Sequence, residues 1–308
     1  MVGDDDLRRD LLLIEIEARG ESCLCDFTFD FYWQHQGSRL DPDEVVSGSY
    51  TRRDLVEALR RGDGVRIRGD VGGRLGSSLG VDLASFGGSG GPIEGAGPII
   101  VDGDVGPRMG ISMIRGSTYV SGSVSNPLGN VVEVESDLTG YRKYVSITEL
   151  LERGGQVSEP NLLEDGSLVL KDGLLRETLA ARSRSARALR VKGDAGMSAG
   201  ILMRSGLLEI LGDAGKNAGV LMRGGRLVVL GKAGDFTAAE LRGGEIFVAG
   251  DAGGFICAKM TGGFVFALRG KPIPPACARP LKGDEAALVS KVLGVNSFQA
   301  MMYRKFGL

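Results

Sequence analysis

One stretch of the sequence, from Gly193 to Gly270, repeats a single pattern four times and constrains the fold more than any other feature. The copies read VKGDAGMSAGILMRSG, ILGDAGKNAGVLMRGG, VLGKAGDFTAAELRGG and VAGDAGGFICAKMTGG. Each copy has an anchoring glycine, and these lie 19 residues apart at Gly193, Gly212, Gly231 and Gly250. A fixed period of this length is typical of solenoids, in which each unit stacks only on its neighbours. We therefore expect a β-solenoid.

Three earlier copies of the pattern precede this stretch. Their anchoring glycines are Gly69, Gly103 and Gly122, and the last two are again 19 residues apart. Between Gly69 and Gly103 the distance is 34 residues, and the surplus falls in the loop Val81–Gly97. Long loops of this kind commonly carry function.

These repeats divide the chain into three parts. We expect an N-terminal cap over residues 1–62, a β-helix over 63–270 with an insertion at 133–187, and a linker with a helical tail over 271–308. A cap is expected because the open end of a solenoid exposes unpaired strand edges.

Elements outside the repeats are predicted from local patterns. Alternation of apolar and polar residues predicts strands, and amphipathic spacing with capping residues predicts helices. The predicted strands are Leu11–Ala18, Cys25–Trp33 and Glu164–Gly173; the predicted helices are Asp54–Arg61, Ser146–Gly155, Leu174–Arg187 and two in the tail, starting near Asp284 and Asn296. The tail helices either cover the end of the solenoid or dock on a partner.

Each position of the repeat has a predicted role. Residues two and four before the anchor are mainly Val, Ile or Leu, as expected of the inward side of a strand, followed by a tight turn and a second strand. A column of Met and Leu ten residues after the anchor is expected in the core. Glycines at fixed offsets indicate turns or close backbone contacts. The repeat-turn glycines are Gly69, Gly72, Gly76, Gly103, Gly106, Gly110, Gly122, Gly129, Gly193, Gly196, Gly200, Gly212, Gly215, Gly219, Gly231, Gly234, Gly250 and Gly253.

Two polar columns are predicted on the outside of the coils. An Asp follows most anchors, and its carboxylate is expected to accept hydrogen bonds from turn amides rather than to bind calcium. These residues are Asp70, Asp104, Asp194, Asp213 and Asp251. The second column contains Arg204, Arg223 and Arg242.

Charge and hydropathy exclude several classes of partner. The net charge is −2 and no basic tract occurs, so we expect no nucleic-acid partner. No apolar run reaches the roughly 18 residues that a membrane span needs. The N-terminal sequence does not resemble a secretory signal, and a cytoplasmic protein is expected.

The cysteines do not predict a cofactor. Cys23 and Cys25 place two thiols on one side of a predicted strand, but a metal or iron–sulfur site needs about four ligands. His35 is the only histidine. We expect free buried thiols, and no cofactor or metal in this chain.

Two segments match the G-x-S-x-G pattern of esterases, around Ser78 and Ser89. That chemistry needs a strand–turn–helix elbow and an activating base. Ser78 lies nine residues after Gly69, which we interpret as a strand position rather than an elbow. Ser89 lies in the long loop, and His35 is the only candidate base.

The repeats GDAGMSAG and GDAGKNAG, the second followed by MRGG, resemble the GXGXG β-helix domain over Val65–Val132 and Ala188–Gly270. That domain forms the C-terminal part of glutamate synthase large subunits and the C subunit of formylmethanofuran dehydrogenase. The resemblance implies a right-handed β-helix that serves as a spacer or scaffold, with redox centres in other subunits. Stand-alone archaeal relatives are named tributyrin esterase. Because the motif is structural, no catalytic residue is implied.

Three functional hypotheses remain open. The first is a non-catalytic scaffold or assembly subunit of a redox complex of the formylmethanofuran dehydrogenase or glutamate synthase kind, whose partners are the other subunits. The second is an independent esterase that uses Ser78 or Ser89 with His35. The third is a homo-oligomeric binding module in which the solenoid faces and the loop Val81–Gly97 engage a ligand.

Overall fold

A computed structural model describes residues 12–18, 41–84 and 87–308. The chain divides into two compact units. The first comprises the described residues up to Ser125 together with Glu133–Ser146, and the second comprises Asn126–Val132 and Ile147–Leu308. The predicted strand Cys25–Trp33 lies outside the described residues. The chain is mainly β and contains a β-solenoid of coils of about 19 residues, which confirms the predicted fold class.

The first unit is built on parallel strands. Strands β1, β4, β5 and β6 lie side by side in that order, all parallel, and β8 pairs antiparallel with β6. The elements in chain order are β1 (Leu13–Glu17), β2 (Val45–Ser47), β3 (Tyr50–Thr51), α1 (Arg52–Arg61), β4 (Gly64–Arg68), β5 (Ile99–Asp102), β6 (Ser117–Val120), β7 (Val131–Val134) and β8 (Arg142–Ser146). Only the last two residues of β7 belong to this unit.

Register in this unit follows the predicted columns. Val65 lies beside Ile99, and Ile67 beside Val101, so the residues four and two before each anchor share one buried face. The predicted cap strand is β1, which adds Ile16 to the same column. The predicted helix of the cap is α1.

The second unit contains the longer run of coils. Strands β10 to β15 are parallel and consecutive, which is the pairing that stacked coils require. The elements are α2 (Ile147–Arg153), β9 (Leu162–Glu164), β10 (Ser167–Leu170), β11 (Ala188–Val191), β12 (Leu207–Ile210), β13 (Arg223–Val229), β14 (Gly243–Val248), β15 (Phe264–Ala267), β16 (Cys277–Pro280), α3 (Gly283–Leu293), α4 (Ser297–Ala300) and β17 (Arg304–Gly307).

The predicted helix over Leu174–Arg187 is wrong. Strand β10 pairs in parallel with β11, and the residues after it form turns that continue into β11, so this segment is a further coil. Thr178, Ala180 and Arg182 adopt left-handed φ values of 54–57°, which a helix does not contain. The sequence does not reveal this coil, because it lacks the spacing of turn glycines that marks the other coils. Its Leu and Ala residues also fit the pattern of a helix. The helix predicted over Ser146–Gly155 is α2.

The predicted second strand of the coil is also wrong in every repeat except that of Gly122, where Val131 begins β7. In the other repeats, residues five, seven and nine after the anchor have left-handed backbone, as at Ser198 (φ 60°), Gly200 (φ 76°) and Leu202 (φ 55°). The amides of Ser198 and Leu202 donate to carbonyls of the following coil, and the Gly200 amide donates to Leu179 O of the preceding one at 2.8 Å. Bonds to both neighbours hold side-chain-bearing residues in a conformation that costs about 1–2 kcal/mol each.

The repeat-turn glycines fall into three groups. Left-handed backbone occurs at Gly69, Gly76, Gly110, Gly193, Gly200, Gly219 and Gly253. A Cβ would meet atoms of the preceding coil within about 3 Å at Gly103, Gly106, Gly122, Gly196, Gly212, Gly215, Gly231, Gly234 and Gly250. Gly72 and Gly129 have backbone outside the left-handed region.

The C-terminal tail packs on the outer face of the last strands. Val289 of α3 and Tyr303 join a buried cluster with Val228, Phe247 and Phe266. Strand β17 pairs antiparallel with both β15 and β16. The first predicted tail helix is confirmed as α3, but the second is only the short α4, because the chain continues into β17.

The carboxylate of Glu285 links the elements of this tail to one another. Glu285 accepts hydrogen bonds from the Arg279 guanidinium, from the Lys305 ammonium at 2.9 Å and from the Lys282 amide at 3.0 Å. The Arg279 hydrogen bonds, with the other two donors, outweigh burial and hold the pKa of Glu285 well below its usual range. One ionised group therefore ties together β16, α3 and β17.

The close approach of neighbouring coils at the anchor predicts a steric cost. Gly231→Ala should lower the free energy of unfolding by about 1–3 kcal/mol. Its Cβ would lie 2.1 Å from Asp213 Oδ1 and 2.7 Å from Gly212 O. Urea titration followed by circular dichroism measures the change. The control is Gly283→Ala, where nothing lies within 4 Å of the added atom; equal losses in the two variants would contradict the steric explanation.

Candidate functional site

The interior of the second unit is filled by side chains. Leu189, Leu208, Leu227 and Ile246 form one column four residues before each anchor, and all are fully buried. The column of Met and Leu predicted for the core is also buried. Because the coils are packed inside, the surfaces of this unit that can meet a partner are its outer columns.

The Asp column is part of the coil stacking. Asp194 Oδ1 accepts from the Asp213 amide at 2.7 Å, and Asp213 Oδ1 accepts from the Lys232 amide at 2.7 Å. In the first unit Asp70 Oδ1 accepts from the Asp104 amide at 2.8 Å. Each of these three carboxylates thus accepts a hydrogen bond from the backbone one coil further on, which confirms the predicted turn chemistry at these positions. The Ser123 amide and hydroxyl, bound to Asp104, hold the pKa of that carboxyl below its usual range.

A column of arginines lies eleven residues after the anchors of the second unit. It comprises Arg204, Arg223 and Arg242, as predicted from the repeat. Arg184 extends it, from the coil over Leu174–Arg187 that was predicted to be a helix. The amides of Arg204 and Arg223 donate to Ser183 O and Met203 O at 2.8 Å, the same bond one coil apart. All four side chains are exposed. We name these four residues the arginine column.

The arginine column has no acidic counterpart. No described carboxylate lies within ion-pair distance of its four guanidinium groups, whereas Arg190 and Arg226 nearby pair with Glu209 and Glu245. Partial burial, followed by the positive charges of Arg184 and Arg223, lowers the pKa of Arg204. The column is therefore a line of cations that repel one another.

Glycine pairs follow two of the four arginines of the column, Arg223 and Arg242. The two residues after Arg223 are Gly224 and Gly225, and the same pair follows Arg242. A Cβ on Gly224 would lie 2.4 Å from Arg204 O, so the backbones of adjacent coils are in close contact here. The strip beside the arginines carries no side chains at these positions, and a ligand could lie close to its backbone.

Two exposed apolar features lie elsewhere on the second unit. The rings of Phe236 and Phe255 stack with centroids 5.1 Å apart, although 41% and 52% of these residues are exposed. In the tail Phe298 is 83% exposed, and Met301 and Met302 are also exposed. Apolar side chains left in water at this level are typical of interaction surfaces.

One open pocket of about 390 Å³ lies beside Leu170, Asp172, Arg176 and Gly193. Asp172 binds the buried Arg176 guanidinium at 2.7 Å and the Asn161 amide at 2.9 Å. Burial alone would raise the pKa of Asp172, but these partners outweigh burial and hold it below its usual range. The charges of Asp172 and Arg176 in this pocket satisfy each other, which indicates a structural role for this pair.

The two candidate serines lie in different environments. Ser78 is in a left-handed turn (φ 57°), not in the predicted strand, because it occupies the ninth position after an anchor. Its Oγ is buried without a hydrogen-bond partner among the described residues and lines a cavity of about 20 Å³, the size of one water. Ser89 Oγ accepts from the Gly91 amide in an exposed turn. His35 lies outside the described residues.

The prediction of free buried thiols is confirmed for Cys257 and is wrong for Cys277, which is exposed. Burial raises the pKa of the Cys257 thiol to about 12. Cys23 and Cys25 lie outside the described residues. Among the described residues, no three His, Cys, Asp or Glu side chains are grouped so as to hold a metal ion.

Every helix in the described ranges is too short or too polar to cross a lipid bilayer.

No protein-family model matches the chain. An uncharacterized protein of Methanothermobacter thermautotrophicus is 49% identical over 197 residues, which are 63% of this chain and 64% of that protein. The chain thus matches less than two thirds of that relative's length. A chain in the crystal structure of the formyltransferase/hydrolase complex from Methylorubrum extorquens, in complex with methylofuran, is 20% identical with a TM-score of 0.32. The match covers 83% of this chain and 71% of that chain.

The buried ion pair of the pocket predicts a stability effect that depends on pH. Asp172→Asn should lower the free energy of unfolding by about 3 kcal/mol at pH 7, because it leaves Arg176 buried without an anionic partner. The pKa of Asp172 is lowered in the folded state, so its contribution is complete above the unfolded value near 4 and is lost as the pH falls through the folded value. Urea titrations from pH 7 to pH 3 measure the difference.

Asp165→Asn is the control for this variant, because Asp165 is exposed. We expect it to unfold like the wild type at every pH. A difference for Asp172→Asn that stays constant down to pH 3 would contradict the assigned ion pair.

The two described cysteines should differ in reactivity. Iodoacetamide at pH 8 is expected to label Cys277 in the folded protein and to leave Cys257 unmodified, because the thiolate is the nucleophile. Peptide mapping by mass spectrometry measures both sites, and labelling in 6 M guanidinium provides the fully reactive reference. Equal rates at the two sites in the folded protein would show that Cys257 is not sequestered.

Proposed function

We propose that this chain is a non-catalytic scaffold subunit of a redox complex of the formylmethanofuran dehydrogenase or glutamate synthase kind. Its stacked coils serve as a rigid spacer, and their outer columns serve as docking surfaces. The GXGXG-like repeat of the sequence and the observed β-solenoid support this role. The redox centres and the metals belong to the partner subunits.

The observation that carries this proposal is the contrast between the inside and the outside of the second unit. Inside, each coil is filled by aliphatic columns; outside, an unpaired arginine column, a pair of stacked exposed phenylalanines and an apolar patch on the tail face solvent. The exposed apolar side chains lower the solubility of the protein, and the arginines of the column repel one another. A partner that covers them offsets that cost, which is the behaviour of an assembly subunit.

Affinity purification from the native cells, followed by mass spectrometry, tests the proposal. We expect the chain to recover subunits that contain iron–sulfur clusters or flavin. Recovery of the chain alone, at native concentration, would contradict the scaffold role and favour a homo-oligomeric module. Hydrolysis of short acyl esters by the purified protein, lost in Ser89→Ala, would favour an esterase instead.

A pair of variants locates the interface. Phe236→Ser with Phe255→Ser should reduce recovery of the partner subunits, because both rings are exposed and would be covered in the complex. Leu211→Ser with Leu230→Ser is the matched control, since these residues are also exposed and lie in successive coils on a different column. Equal recovery with both variants would place the interface away from the phenylalanines.

A further inference from the structure

We propose that the arginine column binds an extended acidic segment of a partner protein, rich in Asp and Glu. This inference deepens the proposed docking role, and it rests on that role for the existence of a partner. The column comprises Arg184, Arg204, Arg223 and Arg242, one from each of four successive coils of the second unit.

The spacing of the column fits an extended peptide. Adjacent coils are about 4.8 Å apart, so four arginines span about 14 Å. A peptide with a rise of about 3.3 Å per residue covers this distance with about five or six residues. The in-register backbone hydrogen bonds fix the Cα positions of the four arginines. On the solenoid, only the arginine side chains then need to be ordered when the peptide binds, which lowers the entropic cost of binding.

Charge complementarity identifies the chemistry of the ligand. Arg204 lies between Arg184 and Arg223 in the column; partial burial, followed by these two positive charges, lowers its pKa. An anion placed at the column would offset this repulsion. A carboxylate accepts two parallel hydrogen bonds from one guanidinium, which makes Asp and Glu well matched to a line of arginines. The column therefore selects a segment that carries several carboxylates.

The strip beside the column allows such a segment to approach. Gly224, Gly225, Gly243 and Gly244 have no side chains and lie directly beyond Arg223 and Arg242. A peptide backbone can rest over this strip while the guanidinium groups reach its side chains. The strip would give no advantage to a free anion.

The surroundings of the column favour a peptide over a nucleic acid. Glu209 and Glu245 occupy the neighbouring outer face and neutralise the arginines there. Glu152 bonds the Arg184 amide at 3.0 Å, and Glu240 precedes Arg242 by two residues. These acids, with the net charge of −2, would repel the second strand and the flanking phosphates of a duplex. A single extended segment has no second strand, so fewer of its charges would face these acids.

Fluorescence anisotropy with a labelled octapeptide of alternating Asp and Glu tests the inference on the full-length protein. We expect binding at 50 mM salt that weakens as salt increases. The triple variant Arg204→Gln, Arg223→Gln, Arg242→Gln should bind at least about fivefold more weakly, as the loss of three exposed charge pairs implies. Since this variant removes mutual repulsion, we expect its melting temperature to be no lower than that of the wild type.

The matched control removes three other exposed cations of the same unit, with Arg269→Gln, Lys271→Gln and Arg304→Gln. It should bind the peptide within about twofold of the wild type. Equal weakening in both triple variants, or no binding at 50 mM salt, would overturn the inference. Tighter binding of duplex DNA, or inorganic phosphate that displaces the peptide at equal charge concentration, would overturn it too.

Failure of this inference can be told apart from failure of the scaffold role. Redox subunits recovered equally by the wild type and by the triple arginine variant, without peptide binding, would overturn the acidic-segment inference and leave the scaffold role standing. Peptide binding that depends on the arginines, in a protein that recovers no redox subunit, would overturn the scaffold role and support the acidic ligand.

Discussion

Backbone hydrogen bonding between successive coils, at the same repeat position each time, is the constraint on which the structure of the second unit depends. The parallel strands β10 to β15 keep one register, and the turn residues donate to the coil before or after them. Bonds of this kind bring neighbouring backbones so close that a side chain is excluded at positions such as Gly231. They also fix left-handed backbone at Leu202, where glycine would ordinarily be expected.

Repetition of the backbone imposes repetition on the side chains. A residue type that recurs at one position becomes a line of identical groups, about 4.8 Å apart. Where the group is an aspartate beside the anchor, as at Asp213, the line is stabilised because each carboxylate bonds an amide of the next coil. Where it is an arginine on the surface, as at Arg204, the same repetition lines up like charges. The same repetition of the backbone thus produces a column of hydrogen-bonded carboxylates and a column of exposed arginines.

The sequence predicted the coils well where a glycine marked each turn. The columns at Val65 and Leu208, the helix α1 and the role of Asp194 all followed from spacing, because period and turn chemistry are local properties. Leu174–Arg187 was predicted wrongly because its coil has no anchoring glycine spacing, and pairing of β10 with β11 is a tertiary interaction. Ser78 was placed in a strand because nothing in its neighbourhood shows that a serine there has positive φ.

The site was predicted less completely than the fold. Arg204, Arg223 and Arg242 could be aligned as a column from the repeat, but Arg184 could be added only once its coil was known. Whether an arginine has an acidic partner depends on contacts between coils: Arg226 pairs with Glu245 and Arg223 does not, although only two residues separate the two arginines. Periodicity assigns residues to a face, but not to ion pairs.

Strand β17 has a consequence for the behaviour of the protein in solution. A stack of parallel strands could otherwise continue at its last strand, and a second molecule could add there as the next rung of a growing fibre. The antiparallel β17 occupies that edge of β15, and β16 beyond it ends at Pro280, which has no amide to donate. On this edge the chain therefore limits its own polymerisation, because a second molecule cannot pair with β15.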